Sequence, residues 1–217
     1  MLFTLVMLII FRLGSFIPVP GMNTEALSQL IQSGGLLGFF NTISGGAFDN
    51  FAIFAMSITP YINSTIIMQL LTIAIPSLEA LAKEGEEGRR KIAQYTRYGT
   101  VILALIQALA LSYGLRGYLL RTDAASIILV ALSLTAGTAF LMWLGEQINE
   151  KGIGNGISLL IFAGIVSRVP GGVLKIYELY KVKSTSLIEI AFFLIFAIFI
   201  IMAVIYIQEG ERRIPVQ

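Results

Sequence analysis

The chain has 217 residues, 56% of them hydrophobic and 13% charged, with a mean hydropathy of +0.84; soluble globular chains carry about 25% charged residues, so this is an integral membrane protein. It contains no cysteine and no histidine, which excludes a disulfide framework, thiolate and imidazole metal sites, and the usual general base and proton relay. The net charge of +2 is too small for bulk nucleic-acid affinity, although the charges are clustered in loops.

A membrane-spanning helix needs about 20 mostly apolar residues, within a range of about 17 to 25. Six segments meet or approach that length. The first, Leu2 to Ile17, stops at Pro18-Val19-Pro20-Gly21 and lacks the basic start and small-x-small cleavage site of a signal peptide, so it is read as a retained helix. Next comes a stretch that breaks in the middle. A glycine-rich half (Gly34, Gly35, Gly38, Gly45, Gly46) and a polar joint at Asp49-Asn50 lead into an apolar run, Phe51 to Pro76, with Thr59-Pro60-Tyr61-Ile62-Asn63-Ser64-Thr65 at its centre. Hydrocarbon offers backbone groups no partner, so interrupted helices persist only where protein buries them or a water-filled cavity borders them. This region is expected to line a path through the membrane, its first half being a re-entrant half-helix. The remaining segments are Tyr98 to Leu115, Ser126 to Ile148, a short Asn155 to Val169 closed by Pro170-Gly171-Gly172, and Leu187 to Ile207. The fold class is therefore all-α, a polytopic membrane helix bundle.

Orientation follows from Lys and Arg in the loops. The Pro76 to Tyr98 loop holds Lys83, Arg89, Arg90, Lys91 and Arg97, whereas the Gly21 to Asn50 connection holds none. That contrast puts the first loop, both chain ends, the Gly145 to Gly156 loop and the Arg212-Arg213 tail in the cytoplasm. Arg168, Lys175, Lys181 and Lys183, between the fifth and sixth segments, fall on the outer side against the rule.

Several residue sets could carry function. Ile58 and Ile62, and Ile157 and Ile161, are each four apart, so each pair would share a helix face and present stiff β-branched side chains in one direction. Converging, they could form a dry constriction that blocks ions by dewetting; equally, apolar residues at this spacing are what any membrane helix shows to lipid or a neighbour. Gly152-Ile153-Gly154-Asn155-Gly156-Ile157-Ser158 reads as a tight turn with Asn155 or Ser158 capping the next helix; the phosphate-loop order of Gly, Lys and Ser/Thr is missing. The run Lys83 to Lys91 is either a topological anchor or a contact for phosphates or an acidic partner. Asn63, Ser64, Thr65 and Gln69, with Gln107, could form a polar seam between helices, held by bonds that average only about 0.6 kcal/mol and can therefore open.

The ordered set Phe11-Arg12-Leu13-Gly14-Ser15-Phe16-Ile17-Pro18-Val19-Pro20-Gly21, Ser44-Gly45-Gly46-Ala47, Pro60-Tyr61-Ile62, Gly88-Arg89-Arg90-Lys91, Gln94-Tyr95-Thr96-Arg97-Tyr98-Gly99-Thr100, Trp143-Leu144-Gly145-Glu146-Gln147-Ile148 with Gly152 to Ser158, and Arg212-Arg213-Ile214-Pro215 resembles bacterial SecY along essentially the whole chain. The resemblance implies the central channel subunit of the Sec preprotein translocase, which passes unfolded secretory proteins across the bacterial plasma membrane and releases membrane helices sideways into the bilayer. It implies half of an inverted-repeat channel, divided into 1–154 (segments one to four, with a plug at 35–50 and lateral-gate helices at 51–76 and 98–115) and 155–217 (segments five and six and the start of a cytoplasmic loop). Ile58, Ile62, Ile157 and Ile161 match the pore ring. Ile43, Ser44, Gly45 and Gly46 match the plug, and Asn63, Gln69 and Gln107 the lateral gate, although family members often carry Ser or Thr where this chain has Asn63. Arg89, Arg90, Lys91 and Arg97 match a cytoplasmic partner contact. The implied partners are the SecE and SecG subunits, the motor ATPase SecA, the ribosome with its nascent chain, preprotein signal sequences and lipid; no cofactor, metal or enzyme activity is implied.

The family is about twice this long. The chain is expected to be a fragment or a partly covered protein, lacking the opposite gate wall and unable to seal a pore alone. The principal alternative is an ion-coupled secondary transporter, which also uses discontinuous helices. Such proteins place ionisable groups at the midplane, whereas Arg12, Glu146 and Glu189 all fall near segment ends.

Overall fold

The computed structural model describes residues 1–24, 27, 44–48, 50–182 and 186–210. Among them the regular elements are helical: α1 (Leu2–Gly14), α2 (Thr59–Ala74), α3 (Pro76–Lys83), α4 (Glu86–Gly114), a 3-10 turn (Arg116–Tyr118), α5 (Ala124–Lys151), α6 (Gly156–Val166), α7 (Val169–Lys181) and α8 (Leu187–Gln208). The helical bundle expected from composition is present. Ile43, most of the 35–50 segment, Lys183 and the Arg212-Arg213 tail lie outside the described residues.

Residues 1–168 form one compact unit and residues 169–217 a second. In the first, α5 is the central post. It is 28 residues long, about 42 Å at 1.5 Å per residue and so longer than the roughly 30 Å hydrocarbon core. Val130, Leu134, Leu141, Leu144 and Ile148 along it are fully buried. α4 lies against both α5 and α2, and α1 against α5 and α6. The inward stripe of α4 is Thr96, Thr100, Ala104, Ala108 and Ser112. Small residues every four positions let helix backbones approach closely, which is how membrane helices gain contact where lipid already satisfies apolar surface. Gly137 does the same for α5: a Cβ there would overlap the Ile53 carbonyl oxygen.

Four expected boundaries are corrected. The run from Phe51 is not helical until Thr59. Phe51 and Ser57 have φ of +40° and +53°, which no right-handed helix accommodates, and the backbone of this stretch bonds elsewhere: Val19 N–H donates to the Phe51 carbonyl at 2.9 Å and Ile53 N–H to the Ile17 carbonyl at 3.0 Å. Pro60 sits in the first turn of α2, where its missing N–H costs nothing. α2 ends at Ala74 and the chain bends by 101° into α3. The supposed loop before Tyr98 is helical as well. α4 starts at Glu86, with Glu86 and Glu87 favourably placed at the positive end of the dipole and Glu86 paired to Arg90 at 2.8 Å, so Arg89, Arg90, Lys91 and Arg97 all ride on this helix. Pro170 does not end a segment but falls in the first turn of α7.

Among the described residues three stretches are long and apolar enough to cross a membrane (Ala124–Lys151, Gly156–Lys181 and Ile188–Gln208), and a fourth if bent α2–α3 counts as one span. In the second unit α8 opens with a capping box, Ser186 and Glu189 each bonding the other's backbone side. It is apolar all round between Ile190 and Ile207 and largely exposed there, as suits a helix solvated by lipid.

Candidate functional site: the broken segment and its isoleucines

The turn-rich stretch between the Ser44 turn and α2 is the structural centre of the first unit. Ala47, Phe48, Phe51, Ala52, Phe54, Ala55 and Ile58 are all buried. Its backbone groups are satisfied by its own turns, Ala52 N–H to the Ala47 carbonyl at 2.7 Å and Ser57 N–H to the Phe54 carbonyl at 2.8 Å, and by the pairing with Ile17 to Val19. Such pairing is what lets an unwound segment persist among membrane helices, where hydrocarbon offers backbone groups no partner. Phe54 stacks on Phe11 of α1 (6.2 Å between ring centroids) and on Phe140 of α5 (5.9 Å), clamping the stretch between two helices.

One apolar cluster joins Phe11, Ala47, Ala52, Phe54 and Ile58 to Leu141, Leu144 and Ile148 of α5 and Leu160 of α6, and Ile62 and Ile157 pack against it. Three of the four isoleucines read from the sequence are thus brought to one place. They are not equivalent. Ile58 is 2% exposed and is the N-cap of α2, its carbonyl accepting from Tyr61 N–H at 3.0 Å and Ile62 N–H at 3.1 Å. Ile62, Ile157 and Ile161 are half-buried, and Ile161 stands one turn beyond Ile157 on α6.

The turn into α6 is built as its residue types require. Asn155 Oδ1 accepts from Ser158 N–H at 3.2 Å as the cap, and Asn149 Oδ1 accepts from Gly156 N–H at 2.7 Å. Thr4 of α1 ties in, its Oγ1 accepting from Ile153 N–H at 3.2 Å.

The polar seam between α2 and α4 is made by Ser64, whose Oγ donates to the Thr96 carbonyl at 2.9 Å. Thr65 bonds within its own helix, to the Tyr61 carbonyl at 2.9 Å. Asn63 and Gln107 are half-buried and Gln69 is exposed. Gln69 borders a cleft of about 260 Å³ that also receives Tyr61, Thr65, Arg89, Thr96 and Glu146. Above it Arg97 Nε donates to Glu146 Oε1 at 2.7 Å, joining α4 to α5. Arg90 and Lys91 are exposed on the same end of α4. Ser44, Gly45 and Gly46 lie in a buried turn. Sequence reasoning missed the partners of Arg12, the Arg97–Glu146 bridge and the Thr4 tie; a cation inside an otherwise apolar first helix was the available signal for the first.

The SecY family model matches residues 52–217. The chain belongs to the SecY family. Among SecY proteins, the protein translocase subunit SecY of Halalkalibacterium halodurans is 50% identical over all of this chain and 52% of its own length. The SecY of Bacillus subtilis is 48% identical over the same shares, and that of Escherichia coli K12 is 43% identical over all of this chain and 51% of its own length. The chain spans about half the length of these curated relatives. Two solved structures share the SecY fold: Sec61 in the canine ribosome-channel complex, with a TM-score of 0.67 at 20% identity over 99% of this chain and 48% of that one, and a protein-conducting channel, with a TM-score of 0.54 at 22% identity over 76% of this chain and 35% of that one.

Proposed function

We propose that this chain supplies the N-terminal half of a protein-conducting channel, which translocates unfolded secretory proteins across the bacterial plasma membrane and releases membrane proteins laterally into it. The observation that carries the reading is identity of 43–50% along the entire chain to protein translocase subunits. It displaces the ion-coupled transporter, as does the placement of Arg12 and Glu146 at helix ends. No catalytic role is assigned to any residue.

In this reading Ile58, Ile62, Ile157 and Ile161 form this half's share of the pore ring. Ile43, Ser44, Gly45 and Gly46 belong to the plug, and Asn63, Gln69 and Gln107 to the lateral gate. Arg89, Arg90, Lys91 and Arg97 meet a cytoplasmic partner, and the N-terminus is cytoplasmic. SecE, SecG, SecA, the ribosome and signal sequences are the partners. The physics suits the task. A polypeptide in transit carries charges that cost about 3 kcal/mol or more each at the bilayer centre, so it needs a wet path. An apolar constriction closes that path to ions by dewetting without adding an adhesive site. A signal sequence opens such a gate only through greater affinity for the open form.

The test is a single cysteine at Ile58 or Ile62 in the full-length chain with its accessory subunits, and disulfide formation with a cysteine in a stalled secretory polypeptide. Cross-links at both positions, absent at lipid-facing controls such as Ile102, are the expected outcome. An engaged polypeptide that cross-links at neither removes the ring assignment.

A further inference from the structure

We propose that Arg12 is a positioning residue that latches the Ser44–Phe48 turn in place from α1; calling this turn part of the plug rests on the channel reading above. Arg12 Nη1 donates to the Gly45 carbonyl at 2.7 Å, across 33 positions of sequence. The turn is confined on its other sides as well. A Cβ at Gly45 would stand 2.7 Å from the Gly164 Cα and 2.9 Å from the Gly164 carbonyl oxygen, and one at Gly46 would stand 2.8 Å from the Arg168 guanidinium. Both glycines are left-handed, with φ of +66° and +91°, so a side chain at either would strain the turn, and at Gly45 backbone meets the backbone of Gly164. Ser44 and Ala47 within it are 2% and 0% exposed.

The choice of acceptor gives the contact its character. A guanidinium in the last turn of an apolar helix needs a partner near the membrane, and a carboxylate would be the strongest one. Opening that pair would strand two charges in a poorly solvated place. A main-chain carbonyl in a turn instead strands one cation, and Arg12 keeps a second support, lying 5.0 Å over the Phe16 ring. The contact also holds the turn through its backbone, so it depends on the turn's conformation and not on a side chain at 45. A charge-assisted hydrogen bond of this kind is firm enough to hold a loop yet breaks without leaving an unpaired anion.

The experiment uses the full-length chain in its membrane assembly with one cysteine replacing Ala47, and reads its rate of reaction with a membrane-permeant maleimide. R12Q is expected to raise that rate at least tenfold. F16L, which removes the ring and leaves the hydrogen bond, is expected to stay within twofold of the parent. Should R12Q fail to accumulate, R12M decides: its apolar stem carries no donor for the carbonyl, and labelling at least threefold faster is expected. A rate within twofold of the parent for R12Q, or for R12M in its place, overturns the latch. The polypeptide cross-link at Ile62 is run on the parent in parallel. Its loss with accelerated labelling in R12Q leaves the latch standing and removes the channel reading, and the reverse pattern does the opposite.

Discussion

Ile58 meets two demands. Its side chain fills the apolar cluster between α1, α5 and α6, and its carbonyl starts the hydrogen-bond ladder of α2. Removing a buried isoleucine to alanine costs about 2–5 kcal/mol, through lost contacts and the cavity left behind. We expect I58A to destabilise the purified full-length chain by about 2–3 kcal/mol and I62A, half-exposed, by roughly half as much, read as midpoints of thermal unfolding in detergent. Equal losses would contradict the distinction between a core residue and a partly open one. Gly137 makes the opposite case. An added methyl collides with the Ile53 carbonyl oxygen, which belongs to backbone and cannot rotate away. G137A is expected to cost about 1–3 kcal/mol as overpacking, in the same assay.

Between elements the first unit is held by small residues and a few polar ties. The Ser64 to Thr96 bond joins α2 to α4, but the Thr96 carbonyl also accepts from Thr100 Oγ1 at 2.7 Å, so losing Ser64 strands nothing. S64A is therefore expected to cost under about 1 kcal/mol, while S64L, which wedges the helices apart at a 2% exposed position, should cost several times more. The Arg97–Glu146 bridge is partly solvated, its side chains 44% and 19% exposed. A double-mutant cycle with R97A and E146A should give a coupling of about 0.2–1 kcal/mol that shrinks between 0.05 and about 0.5 M salt as the Debye length shortens. A salt-independent coupling would mean that the pair is shielded from solvent.

At the level of the molecule, α2 presents an outward apolar face, Ile66, Leu70 and Ile73 at helical spacing, exposed by 49%, 62% and 79%. In the channel reading this face borders the lateral gate. A photo-cross-linking residue at Leu70 of the full-length assembly should capture an arriving signal sequence, and one at Leu71, half-buried and turned about 100° away on the helix, should not. Capture at both sites, or at Leu71 alone, would remove α2 from the gate.

Membrane class, the all-α fold, the course of α8, the Asn155 cap and the family were legible in the residues, because each rests on local chemistry: an unbroken apolar run, a capping amide, an ordered set of motifs. The stripe of small residues at every fourth position of α4, Thr96 to Ser112, is also written in the sequence as one helix face. What escaped was where helices begin. Phe51 to Ile58 is as apolar as any helix, and its turns follow from pairing with Ile17 to Val19 and clamping by Phe11 and Phe140, contacts that lie tens of residues away in the chain. The same holds for Arg12, whose partner is a carbonyl 33 residues on, and for the Phe11, Phe54, Leu141 and Leu160 cluster on which Ile58, Ile62 and Ile157 meet. Periodicity states which side chains share a helix face; it says nothing of which face another helix will cover, since in lipid apolar surface is satisfied either way and only close packing and hydrogen bonds choose.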